Sequence, residues 1–451
     1  MRSFVCRIGA ACAGPIASVA ALACSAPHGG PDRPAGAIAP ATGSVYAAWR
    51  AHGDGADSAR RAGDWAGYRH HLDAMWRIAP GHPRLTWAYA RAAARLGERD
   101  GALRWLERYA AAGLPGDLDG DSALAPLAAD PRGGVIRARL ARNAEPVRGS
   151  VTAFTLPAAD LVTEDLAWDG ARRRLLVSSV RERRVLALAA DGSVTDFVPE
   201  GREGVWGMYA LAADSARGVL WATTASGPPA RGAGASEPGR TALLEYDLAS
   251  GRLLRRLEPP PREGAERERT FGDLALAPDG SVLVTDSRAG ELWRARPAGD
   301  RLELVVPAGT LVSPQQPAVL PGGRAAIVPD YLRGLALVDL ATGEVTWPAI
   351  PEDLAPTGID GLLPDGGSLV AFQNGVSPAR VLRIELRGLG RRVTGWRVLE
   401  AGTPELGEPT HGVRADGAVY FIANAGWERF GEDGAADPRV PPVHGVIRRL
   451  R

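Results

Sequence analysis

The alternation of apolar and polar positions divides the chain into two regions of different period. From about residue 150 onward an apolar run, a turn containing Gly or Asp, and a second apolar run recur six times. The copies are LVTEDLAWDGARRRLLVSS from Leu161, MYALAADSARGVLWATTAS from Met208, FGDLALAPDGSVLVTDS from Phe271, QQPAVLPGGRAAIVPDY from Gln315, GIDGLLPDGGSLVAFQN from Gly358 and PTHGVRADGAVYFIAN from Pro409. Strand pairs repeating every roughly 40 to 60 residues predict a propeller-type array, one blade per copy. SVTAFTLP at 150–157 alternates as a half-buried strand but has no blade of its own, and the chain ends at VHGVIRRL one strand short of a full blade. The expectation is that the first strand completes the last blade and closes the ring. The stretches 226–240 and 259–269 are too rich in Pro, Gly and charge for strands and read as loops, either of which could lie over one mouth of the ring.

Between 44 and 143 the period changes to three and four. Trp65, Tyr68, Leu72, Met75 and Trp76 share one helical face, as do Trp87, Ala90 and Ala94, then Leu103, Leu106 and Tyr109. With Gly63 and Gly97 one repeat apart, Pro80 ending a helix and Ala102 at a helix crossing, this stretch resembles tetratricopeptide repeats. So few repeats do not stand alone, so the unit packs on the propeller or on a partner, either as a spacer or as a groove for an envelope protein. The predicted architecture is mainly β: a six-bladed β-propeller over 150–451 behind a small all-α, tetratricopeptide-like domain over 44–143.

The first 24 residues carry Arg2 and Arg7 ahead of an uncharged, Ala-rich stretch, which reads as a secretory signal. All three cysteines lie in it, and Ala21-Leu22-Ala23-Cys24 resembles a bacterial lipobox in which Cys24 becomes the lipidated first residue. Cleavage by ordinary signal peptidase, with Cys24 incidental, is the alternative. Residues 25–43, rich in Pro, Gly and Ala, read as a flexible tether. The expected location is therefore the bacterial cell envelope, with a lipid anchor as the only membrane attachment. A formal charge of +1 without single-sign blocks points away from nucleic acid. Lysine is absent, which excludes Schiff-base and Walker A chemistry.

Aligned on their apolar pairs, the copies bring Glu164, Tyr209, Gly272, Gln316, Asp360 and His411 to one position at the entry of the innermost strand. Asp165, Ala210, Asp273, Pro317, Gly361 and Gly412 follow. In a closed ring these positions crowd the axis. Converging carboxylates repel unless a cation sits between them, so a divalent metal is expected, held by Glu164, Asp360 and the Gln316 amide. Oxygen donors suit calcium or magnesium, and His411 would also permit manganese or zinc. Each group has a plainer alternative as well: carboxylates bonding backbone amides, turn aspartates, a hydrogen-bonded histidine. Trp168, Trp221, Trp293 and Trp427 are expected to fill space between blades.

TEDLAWD, FGDLALAPDGSVLVTDS and GIDGLLPDGG resemble the regucalcin and gluconolactonase superfamily of six-bladed propellers, which includes the paraoxonases and strictosidine-synthase-like proteins. The resemblance implies a central calcium or similar ion, with Glu164 and Asp360 at the positions of its glutamate and aspartate. Gly272 and Gln316 stand where that family has asparagines. Asp165 and Asp273 match acidic residues that hold a second, structural ion in paraoxonases. The implied activity is metal-dependent hydrolysis of a small lactone or ester, with His411 or a carboxylate as general base and Tyr209 orienting the substrate. The alternative is a non-catalytic binding or scaffold propeller. No Gly-x-Ser-x-Gly motif offers a serine nucleophile.

Overall fold

A computed structural model of the chain describes residues 45–232, 239–261, 268–431 and 433–451. The expected leader, the tether and Cys24 lie outside them.

Six four-stranded antiparallel sheets follow one another along the chain. The first five are each built from four consecutive strands, innermost first. The sixth takes Gly412–Ala415, Ala418–Asn424 and His444–Leu450 and completes itself with Ser150–Ala159 on the outer edge. Ser150 pairs with Leu450 and Thr155 with Val446, so the two ends of the propeller sequence close the ring as the strand pattern predicts. Arg448 fastens this joint: Nε donates to Ser150 Oγ at 2.6 Å, and Nη2 lies 3.0 Å from the buried Glu400.

The alternation of each strand goes into apolar clusters set between neighbouring blades. Between the second and third blades, for example, Trp221, Leu243 and Leu257 meet Phe271, Val284 and Trp293. The inner strands are Thr163–Asp169, Gly207–Asp214, Phe271–Leu276, Ala318–Val319, Ile359–Asp365 and Gly412–Ala415. The fourth is only two residues long because Pro317, at its entry, has no N–H to give the ladder.

The helical region comprises α1 (Val45–Ala62), α2 (Trp65–Ile78), α3 (Pro83–Arg95), α4 (Arg99–Ala111) and α5 (Pro131–Asn143). Gly63 and Gly97 adopt left-handed φ of 72° and 80° just past α1 and α3, which is why these ends take glycine. Asp64, His82 and Asp130 cap the following helices through their side chains, with proline at the first position of α3 and α5. The region packs on the propeller at blades four and five. Val312 and Leu332 join the cluster of Trp49, Tyr68, Leu85 and Tyr89, while Ala112 and Leu114 meet Ala355 and Val376. Among the described residues no helix is long and apolar enough to cross a membrane.

Candidate functional site: a carboxylate and histidine cluster on the propeller axis

Four inner strands carry one extra residue at the same place. Glu164 and Asp165 together oppose Ser178, and Tyr209 and Ala210 oppose Thr223. Gly272 and Asp360 are each inserted between paired neighbours. Such a bulge breaks the alternation of the strand and re-aims its side chains. Hydroxyls of the second strands satisfy the backbone groups displaced there: Asp165 N donates to Ser178 Oγ and Ala210 N to Thr223 Oγ1, both at 2.9 Å.

The result is a buried cluster. Glu164, Asp360 and His411 each place a ligand-capable atom within 4.8 Å of the other two. Trp427 Nε1 donates to Glu164 Oε2 at 2.6 Å, and Asn374 Nδ2 donates to Asp360 Oδ2 at 2.8 Å. Inner strands five and six approach closely here. A Cβ on Gly361 would stand 2.6 Å from both His411 Cδ2 and Thr410 O, and 3.1 Å from Gln316 Oε1.

A second set of acids flanks the histidine. His411 Nε2 is 2.9 Å from Asp273 Oδ1 and Nδ1 is 3.7 Å from Asp165 Oδ1, both without hydrogen-bond alignment. Asp165 also accepts from Leu166 N at 2.7 Å and Leu211 N at 2.8 Å, with Gln316 Nε2 at 3.5 Å. Burial raises the Asp165 carboxyl to about 7, although His411 and the two amides favour its charged form. For His411, burial opposes the charge, but Asp273 and Asp165 outweigh it and raise the imidazole to about 10.

The structure brings Glu164, Asp360 and His411 together. It turns the Gln316 amide nitrogen toward Asp165 and leaves Oε1 buried without a hydrogen-bond partner. Asp165 and Asp273 sit on either side of His411 and so belong to the same cluster. Tyr209 lies on the wall of an adjoining cavity of about 60 Å³, with Glu164, Gly272, Asp273, Ser287, Arg288 and Trp427. Ser226, Gly227 and Pro228 from one expected loop and Glu268 from the other also line it. The middle of each loop lies outside the described residues.

Trp427 packs between blades as expected but also serves the site through its indole N–H. Asn374 is the residue that sequence reasoning missed. It stands in FQNG, which reads as a turn, and only the fold brings it to Asp360.

No protein-family model matches the sequence, and no curated protein does. Among solved structures the chain is similar to a gluconolactonase from Xanthomonas campestris, at 16% identity over 68% of this chain and 98% of that one, TM-score 0.43. It is similar to the PQQ-bound aldose sugar dehydrogenase of Streptomyces coelicolor at 17% identity over 68% and 99%, TM-score 0.46. Virginiamycin B lyase of Staphylococcus aureus matches at 13% over 66% and 83%, TM-score 0.41. The fold itself, a six-bladed β-propeller behind a small helical region, stands on the order of the strands.

Proposed function

We propose that the axial cluster binds a divalent cation, calcium foremost, and that the adjoining cavity admits a small lactone or ester for hydrolysis. The observation that carries this reading is the approach of Glu164, Asp360 and His411 to within 4.8 Å of one another, with Glu164 also lining the cavity. The oxygen donors suit such an ion: the Glu164 and Asp360 carboxylates and the buried Gln316 Oε1, which lacks a hydrogen-bond partner; His411 joins the ligand set only in its neutral form. When bound, the cation would polarise the substrate carbonyl and make a water more acidic.

The chain's own groups do the rest. Trp427 and Asn374 each engage one oxygen of an axial carboxylate and fix its orientation. Glu164 borders both cluster and cavity, which suits it to take the proton of the attacking water. Tyr209 and Trp427, with ring centroids 6.1 Å apart, form an aromatic wall on which a small ring can rest. The leader extends the proposal to export and anchoring in the cell envelope through lipidated Cys24.

One observation favours a second reading. His411 lies between Asp273 and Asp165, at 2.9 Å and 3.7 Å, so a proton on its ring would offset the charge of the acids without a metal, which fits a non-catalytic binding propeller. Metal content of the purified protein separates the two, followed by lactone and aryl-ester turnover with and without chelator. Glu164→Ala and Asp360→Ala serve as controls. A metal-free protein whose activity and melting temperature both ignore chelator would sink the hydrolase reading.

A further inference from the structure

The axial carboxylate of blade five is tied to the helical region by a short series of hydrogen bonds, joined through the peptide link between Gln373 and Asn374. Asn374 donates through Nδ2 to Asp360 Oδ2 at 2.8 Å and to Pro409 O at 3.0 Å, two residues before His411. Tyr331 Oη donates to Asn374 Oδ1 at 2.9 Å, which fixes which way the amide faces. The preceding residue, Gln373, donates to Ala355 O at 2.8 Å and Thr357 O at 2.7 Å, on the segment that delivers Asp360 to the axis. Gln373 Oε1 accepts from Arg380 Nε at 2.6 Å. Arg380 Nη1 reaches out of the propeller to Ala112 O at 2.7 Å, just past the end of α4. A cation at a helix C-terminus meets the negative end of the helix dipole. Arg380 and Gln373 are both buried. The Nε and Nη1 of Arg380 are directed to this joint, while Nη2 is buried without a hydrogen-bond partner and the guanidinium lies over the Trp396 ring.

We propose that Asn374 is the positioning residue that holds Asp360 and the His411 segment in register. The docked helical region, through Arg380 and Gln373, keeps Asn374 in place. The helical region is then a working part of the axial site, and the proposal rests on the cation reading above.

The test is calcium titration of the full chain, followed by Trp fluorescence and by melting temperature. Asn374→Ala should weaken calcium binding by about 10- to 100-fold, the usual loss for an outer-shell partner of a metal ligand. Arg380→Met should weaken it in the same direction, and the double variant should bind no worse than Asn374→Ala alone, because Arg380 acts through Asn374. Arg380→Lys serves if Arg380→Met loses its helices by circular dichroism. Unchanged binding in the Arg380 variant, or losses that multiply in the double variant, would overturn the proposal. If the wild-type chain binds no divalent cation, the cation reading fails. The positioning claim is then decided by melting in chelator: the effects of Asn374→Ala and Arg380→Met must each be non-additive with Asp360→Ala. Additive shifts reject it.

Discussion

Gly361→Ala tests the geometry of the axis with the smallest available change, a methyl group that alters no charge. The added carbon would stand 2.6 Å from His411 Cδ2 and from Thr410 O, about 0.8 Å inside the 3.4 Å at which ordinary contact begins. One of these neighbours is backbone, and the imidazole has Asp273 2.9 Å away at Nε2. The backbone of Gly361 itself is of a kind any residue adopts, so the cost is steric. Overpacking of this kind costs about 1–3 kcal/mol. At about 2–4 °C per kcal/mol the melting temperature should fall by several degrees. Displacing His411 and Gln316 Oε1 together should also weaken calcium binding by about tenfold or more. Gly367→Ala, in the exposed turn of the same blade with nothing within 4 Å of its new carbon, is the matched control and should change neither quantity. Scanning calorimetry and calcium titration of the two variants side by side decide the matter. If Gly361→Ala binds and melts like Gly367→Ala, the crowding at the axis is not real and the ligand set must be redrawn.

Trp427→Phe should lower stability by about 1.5–3 kcal/mol, read as a denaturant midpoint at unchanged slope, because it removes a donor from the buried Glu164 carboxylate. His82, packed against Trp49 and accepting from Arg84 N, is held at about 3 by burial, well below the ordinary 6.5. Below pH 6.5 the unfolded chain therefore binds the extra proton, so this contribution to stability is intact above 6.5 and is lost as pH falls toward 3. His82→Asn keeps a capping acceptor and should flatten that part of the acid loss; an unaltered profile of melting temperature against pH would refute the assignment. Saturating calcium, at a hundred times its dissociation constant, should stabilise the wild-type chain by about 2.7 kcal/mol, and chelator should remove the gain. Labelled palmitate should enter the wild-type chain in a bacterial host and not Cys24→Ala.

The architecture was legible because each of its levels left a periodic trace. Period two in the strands, roughly 40 to 60 residues between copies, and an unpaired strand at each end led to six blades and to their closure. The convergence of Glu164, Asp360 and His411 could be read from register alone, since a ring turns equivalent positions into neighbours. Register does not reveal which way a side chain turns once it arrives. Gln316 offers its nitrogen to Asp165, and Asp273 and Asp165 close on His411 from either side. Asn374 and Arg380 were invisible for another reason: Asn374 meets Asp360 across the folded blade, and Arg380 meets Ala112 where the helical region packs, contacts that no local pattern encodes.

The four bulges at the inner strand entries separate what the ring is made of from what it holds. Because each inserts one residue and then restores the alternation, the rest of the strand keeps its apolar side chains between the blades whatever stands at the inserted position. Glu164, Tyr209, Gly272 and Asp360 differ in size and charge, yet they occupy the same kind of place in blades of the same build. A propeller of this design can vary its axial chemistry at these positions while each inner strand keeps its register.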